Sequence, residues 1–229
     1  MSLKENLAKI KEKISSIQEK TGLQNKVEIV AVTKTHPFQI IRNSYEAGFL
    51  SIGENRIQEA SAKFESFELM PDLKKRFIGH LQSNKIKKCT NLFDTIDTVD
   101  NIKLLKKISK VIEEKKRKTS VLLQINTSKD AQKKGISPLD IENILACFEI
   151  EGVIIEGLMT MAPFTNNKKV IRESFKKLRV LKEEINAQLK NERISELSMG
   201  MSNDYKIAIE EGSTMIRLGT SLFGARGKL

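Results

Sequence analysis

Lys34 ends the short, β-branched run from Val27 to Thr33 (VEIVAVT), and an amine in that setting is a candidate nucleophile. Two-residue alternation along a strand sets Val30, Val32 and Lys34 on one face. If that face turns into a closed sheet, the ammonium lies over apolar walls. Desolvation there lowers an amine's pKa and enlarges the nucleophilic fraction that Schiff-base lysines use. A lysine that only snorkels to solvent from a strand end has the same spacing, so position alone leaves both readings open.

A second set of residues suits an anion. Gly200 and Gly219 permit close backbone approach, Ser202 and Thr220 carry hydroxyls, and the helix starts expected after them aim N–H groups outward, as a phosphate requires. Ser202 could equally cap the following helix, and Gly219 could serve a plain turn. Arg217 shares a strand face with Met215. It does not deprotonate, so an inward guanidinium needs an acceptor: an aromatic ring nitrogen, a carboxylate, or an ordinary salt-bridge partner.

The remaining polar residues at strand ends are less specific. Glu54 could orient Lys34 or cap a helix, and Asn55 could contact a ring or do the same. His80 could exchange protons, although a single histidine after a strand is more often a hydrogen-bonding structural residue. His36, next to Pro37, has less to recommend it. Asn126 and the stretch from Thr160 to Pro163 also follow strands. Met159, Met161, Met199 and Met201 read as packing at one end of the sheet.

These positions acquire meaning from the elements that carry them. Leu3, Leu7, Ile10, Ile14 and Ile17 step by fours and threes along a first helix that ends near Gly22. Strand then alternates with helix. Strands are predicted at 27–33, 50–53, 76–79, 92–98, 119–126, 153–159, 197–199 and 214–218. Helices are predicted at 37–47, 57–67, 84–89, around Ile102 to Ile112, at 138–148, along the stripe from Ile171 to Leu189, at 203–211 and from Ser221 onward. Eight such units are the count of a (β/α)8 TIM barrel with an extra N-terminal helix, read as a single domain over 1–229. An open doubly wound sheet is the competing arrangement, but no GxGxxG follows the first strand. In a barrel the functional residues sit at the carboxyl ends of the strands, which is where the residues above fall.

Composition narrows the classes. Forty basic against 29 acidic side chains give a net charge of +11, which raises nucleic acid as a partner. The basic residues are spread from Lys4 to Lys228, and two tyrosines with no tryptophan offer little for stacking bases. A lysine-rich solvated surface or a small anionic ligand is the better reading, and no nucleic acid is expected. No apolar run approaches the roughly 18 residues of a membrane span, and charges interrupt Met1 to Ile14 where a signal peptide would be apolar. A cytoplasmic protein without membrane contact is expected. Cys89 and Cys147 lack CxxC or His-ligand spacing, so neither a disulfide framework nor a structural zinc or other metal site is expected.

Six blocks in order, Val30 to Lys34 (VAVTK), Gly53 to Glu59 (GENRIQE), Phe77 to Lys85 (FIGHLQSNK), Gly157 to Pro163 (GLMTMAP), Leu197 to Asp204 (LSMGMSND) and Ile216 to Arg226 (IRLGTSLFGAR), resemble the pyridoxal-phosphate homeostasis (YggS/PROSC) family over nearly the whole chain. The resemblance implies a fold-type III barrel like the N-terminal domain of alanine racemase. It implies pyridoxal 5'-phosphate (PLP) as cofactor, held as a Schiff base on Lys34. It also implies that Ser202, Gly219 and Thr220 hold the phosphate, that Arg217 faces the pyridine nitrogen, and that Asn55 and Met201 line the ring.

What the family implies is a protein that binds and buffers the cofactor within vitamin B6 homeostasis, with PLP-dependent apoenzymes as candidate recipients. Catalytic turnover is not expected. Racemisation needs a base on each face of the substrate, and Tyr45 and Tyr205 fall on predicted helices outside the mouth. No counterpart of the second, β domain of alanine racemases is expected after strand eight, and a monomer is the expectation. An Arg at the ring nitrogen disfavours the protonated pyridinium and weakens the electron sink. The alternative is an amino-acid racemase of the alanine-racemase type.

Overall fold

The computed structural model describes residues 2–64, 67–114, 119–128, 130, 133–190 and 193–224. The chain opens with α1 (Leu3–Thr21), which Ser2 starts with a capping box. Glu5 N–H donates to Ser2 Oγ, and Ser2 N–H donates to the Glu5 carboxylate. Gly22, at φ +72°, ends it in the left-handed conformation that glycine takes without penalty. Leu7, Ile10, Ile14 and Ile17 form its buried stripe.

Eight parallel strands follow and close in sequence order, β1 next to both β2 and β8. They are β1 (Glu28–Val32), β2 (Ser51–Glu54), β3 (Lys74–Phe77), β4 (Thr95–Val99), β5 (Thr119–Gln124), β6 (Val153–Met159), β7 (Glu196–Met201) and β8 (Met215–Leu218). Between and after them run α2 (Phe38–Glu46), α3 (Ile57–Lys63), a 3-10 turn (Ser83–Lys85) leading into α4 (Ile86–Leu92), α5 (Ile102–Glu114), α6 (Ile141–Cys147), α7 (Lys168–Gln188), α8 (Tyr205–Glu210) and α9 (Thr220–Phe223). The expected (β/α)8 barrel is thus the observed fold, with α1 packed outside against α8 and α9. No described helix is long and apolar enough to cross a membrane.

Boundaries differ where the hydrophobic pattern is ambiguous. The expected fourth strand began at Leu92, but α4 runs through that residue, because an apolar helix end and an apolar strand start read alike in sequence. The third strand begins two residues early, at Lys74, where the lysine pair hides it. The seventh, read as three residues, has six, its outer half masked by Gly200. The expected helices 57–67 and 138–148 shorten to Ile57–Lys63 and Ile141–Cys147. Residues 65 and 66, and the 225–229 end of the last family-like block with its Arg226, lie outside the described residues.

Alternation sorts each strand into two layers. Ile29, Ala31, Ile52, Ile216 and Leu218 face outward and pack with α1 and α2 in one core cluster. Val30, Leu122, Met159 and Met215 fill the barrel interior. Beneath them lies a polar layer that the sequence did not announce. Arg76, fully buried, donates to Ser51 Oγ, Thr95 Oγ1, both oxygens of Asp97 and both oxygens of Glu28, at 3.1 to 3.3 Å. Burial works against its charge, but Asp97 and Glu28 prevail and hold its pKa above the ordinary arginine value. The carboxyl ends of the strands lie at the opposite end of this stack.

Candidate functional site

The site is built from that upper end. Val30 is inside the barrel and pairs with Arg217 across β1 and β8. Val32, on the same face, reaches the rim, where a Cβ on Gly219 would sit 3.7 Å from its own Cβ. Lys34 follows two residues later, half-buried, in the turn after β1. The expected alternation holds for Val30 and Val32, but β1 ends at Val32, so Lys34 stands at the rim in the turn and not as a strand residue on their face.

The loops after β7 and β8 meet. Ser202 Oγ accepts the Gly219 N–H at 3.3 Å and the Ser221 N–H at 3.2 Å, and Ser221 Oγ donates to Ser202 O at 3.4 Å. Ser202 is thus not the cap of α8; Asp204 holds the N-cap position. Two backbone amides and two hydroxyls converge at one point, with Thr220 exposed beside them. Gly200 makes the arrangement possible. At φ +99°, it sits so close to α8 that a Cβ would be 2.6 Å from Ala208 Cβ and 3.0 Å from Tyr205 Cα. The same residue falls in the register shift between Ser198 and Met201, which brings Met201 opposite Arg217.

Arg217 lies just below, 5% exposed. Its Nη1 donates to Ser198 Oγ at 2.6 Å and its Nη2 to Thr160 O at 2.9 Å. Among the described residues no carboxylate stands within ion-pair distance of it, so the ordinary salt bridge is not what the fold supplies. Burial presses its pKa below the usual arginine value, against the fields of Asp97 and Asp204. Asp204 in turn accepts the Met201 N–H at 2.5 Å, and burial raises its carboxyl above the usual range.

Asn55 is held by a different contact. Gly79 lies so near that a Cβ there would stand 2.1 Å from the Asn55 carbonyl oxygen, and Thr98 Oγ1 donates to Gly79 O. The ends of β2, β3 and β4 are thereby drawn together at the mouth. Lys34, Asn55, Met201, Ser202, Arg217, Gly219 and Thr220 all fall at this one end of the barrel.

Other expectations resolve differently. His80 is 46% exposed and stands 3.4 Å from Asp100 through Nδ1, a structural partner of the kind expected. His36 packs its ring on Phe223, 5.0 Å between centroids, and so ties the β1 turn to α9. Asn126 turns into its own loop, donating to Asp130 O and Lys133 O. Glu54 points outward beneath α3, bonded to Thr33 and Lys63, and does not cap a helix. The four methionines do not share one role: Met159 is in the interior, Met199 in the outer core, and Met161 and Met201 are exposed. Sequence reasoning missed Ser221 and Asp204 and reached Ser198 only as the start of the strand-end stretch Ser198 to Ser202, with no role of its own. Ser221 was legible as a second hydroxyl beside Gly219, Ser198 depends on Arg217 far away in the chain, and Asp204 bonds to the nearby Met201 amide.

The family model "Alanine racemase, N-terminal domain" matches residues 6–227. The chain is 35% identical to the pyridoxal phosphate homeostasis protein of Aquifex aeolicus, with 99% of each covered, and 37% identical to that of Haemophilus influenzae, with 99% and 97% covered. Among solved structures, PipY of Synechococcus elongatus with PLP bound is 36% identical, at a TM-score of 0.86 over 97% of this chain and 100% of that one. Alanine racemase of Clostridium difficile, at 15% identity and a TM-score of 0.73, shares the fold over 99% of this chain and 56% of its own. The chain belongs to the pyridoxal phosphate homeostasis proteins, a family built on the alanine racemase N-terminal fold.

Proposed function

We propose that this chain holds pyridoxal 5'-phosphate at the barrel mouth and serves cellular homeostasis of that cofactor, with Lys34 as its covalent anchor. The carrying observation is the convergence of the Gly219 and Ser221 amides on the Ser202 hydroxyl at the same rim as Lys34, with Arg217 between and below. The donor set fits the group. Amides and hydroxyls that now satisfy one another are the donors a phosphate oxygen takes up, and Gly219 keeps the approach clear of a side chain. That PipY, at 36% identity, has been solved with PLP bound supports the same reading.

When bound, pyridoxal phosphate supplies an aldehyde that condenses reversibly with a primary amine. Each residue then has a part. Lys34 presents the amine; Ser202, Gly219, Ser221 and Thr220 bind the phosphate; Asn55 and Met201 flank the ring; Arg217 donates to the ring nitrogen. A donor that stays cationic opposes protonation of that nitrogen, so the site retains the cofactor and does not drive carbanion chemistry. Tyr45 and Tyr205 support this, since both pack against the outer core. Release then needs only a competing amine at Lys34.

The reading extends to a single domain over 1–229, acting as a monomer in the cytoplasm and passing the cofactor to PLP-dependent apoenzymes. Its test is chemical. Borohydride reduction after incubation with pyridoxal phosphate should fix the added mass on Lys34, and Lys34→Ala should fold yet take no label. Label on another lysine would overturn the anchor. Enzyme-like exchange of an amino acid's α-proton in heavy water would favour the racemase alternative.

A further inference from the structure

The residues on either side of Lys34 are fastened from outside the barrel. Thr33 Oγ1 donates to Glu54 Oε1 at 2.7 Å, and Lys63 Nζ donates to Thr33 O at 3.1 Å. On the other side, Thr35 N–H donates to Glu59 Oε1 at 2.5 Å. Lys63 joins the two acids, 3.0 Å from Glu54 and 2.6 Å from Glu59. Thr35 has φ +68°, a left-handed conformation that a β-branched residue keeps only when its surroundings hold it there.

Two features separate this cluster from ordinary packing. Glu54 is fully buried, and its Oε2 has no hydrogen-bond partner among the described residues, an arrangement that works against stability. Lys63 reaches from the end of α3 to a strand-end carbonyl and is itself largely buried. A fold that needed only to fill this space would do so with apolar side chains. What the cluster accomplishes is to fix the backbone at 33 and at 35, and therefore the direction in which residue 34 leaves it.

We propose that Glu54, Lys63 and Glu59 are positioning residues, a clamp that sets the 33–35 turn and aims the Lys34 amine at the barrel mouth. The proposal rests on the reading of Lys34 as anchor. A preset amine meets a bound aldehyde without a search over backbone states, so the clamp acts on the rate of condensation and leaves the grip on phosphate alone.

The test uses the full chain with Lys63→Met, Glu54→Leu and the conservative Lys63→Arg. Amide hydrogen exchange at Thr35, measured without cofactor, should speed up about tenfold or more in Lys63→Met while the barrel strands keep their protection. The rate of borohydride-fixable labelling at Lys34 should fall by a similar factor. Affinity for pyridoxine phosphate, which lacks the aldehyde, should hold, and Lys63→Arg should recover much of the rate. If Glu54→Leu does not fold, Lys63→Met decides. Unchanged Thr35 exchange, or an unchanged labelling rate, in folded Lys63→Met overturns the clamp. Absence of label on Lys34 in the unaltered protein would instead defeat the anchor, and the aim assigned to the clamp with it. A Thr35 amide protected there and released in Lys63→Met would still mark the clamp itself.

Discussion

Arg217 donates to Ser198 Oγ at 2.6 Å, joining β8 to β7 beneath the mouth. Its Nη2 donates to the Thr160 carbonyl at 2.9 Å, so a buried cation is balanced by neutral oxygens and by the more distant fields of Asp97 and Asp204. That balance bears on the proposed function. A guanidinium saturated by a carboxylate would have little to offer a ring nitrogen, whereas this one is oriented from two sides without being neutralised.

Ser198→Ala tests how much the orientation is worth. The substitution leaves a buried N–H of Arg217 without its acceptor, at a cost of about 1–3 kcal/mol. In urea the unfolding midpoint should drop with the slope unchanged, and Ser198→Thr should recover most of the loss. An unchanged midpoint would mean that water or another carbonyl takes the donor.

Gly200 and Gly219 should respond oppositely to alanine. At Gly200 the left-handed backbone and the approach to Ala208 and Tyr205 together cost roughly 2–5 kcal/mol, read as a lowered melting temperature. At Gly219 a Cβ would make only an ordinary contact with Val32, so the fold should stand. Pyridoxine phosphate affinity should nevertheless drop by about tenfold, or 1.4 kcal/mol. Equal affinity in Gly219→Ala would move the phosphate away from this loop.

The barrel was legible because its period is regular: the strand-helix alternation and the stripe Leu7, Ile10, Ile14 and Ile17 follow from side-chain geometry alone. Lys34, Ser202, Arg217 and Gly219 stood out as candidates because they lie at or just beyond the carboxyl ends of strands. The polar layer of Arg76, Glu28 and Asp97 was not, since its members come from three strands and only closure of the sheet makes them neighbours. Ser202 shows the same limit. Its spacing suits a helix cap, and only the distant amides of Gly219 and Ser221 reveal what it bonds.

Cys147 gives a check on the outer core. Burial pushes its thiol up to about 11, and Sγ bonds to Asn143 O at 3.2 Å. At pH 8 the thiolate is then on the order of one part in a thousand, and it is enclosed as well. An aromatic disulfide reagent should leave Cys147 unmodified in the native protein and react promptly in denaturant. Rapid native labelling at this residue would show that α6 opens locally far more readily than its packing implies.

Glu54 should leave a signature in the pH dependence of stability. Burial raises its pKa above the ordinary 4.5, even against Thr33 and Lys63. The native state then binds the proton more tightly than the unfolded chain. Ionised Glu54 therefore weighs on stability progressively as pH rises from the unfolded value to the folded one, and constantly above it. Glu54→Gln does not titrate, and its Oε1 can still accept from Thr33 and Lys63. The variant should melt higher than the parent at neutral pH, and the gap should close as the parent is acidified through its raised pKa toward 4.5. If the gap widens on acidification instead, the pairing with Lys63 outweighs burial, and Glu54 is held ionised in the folded protein.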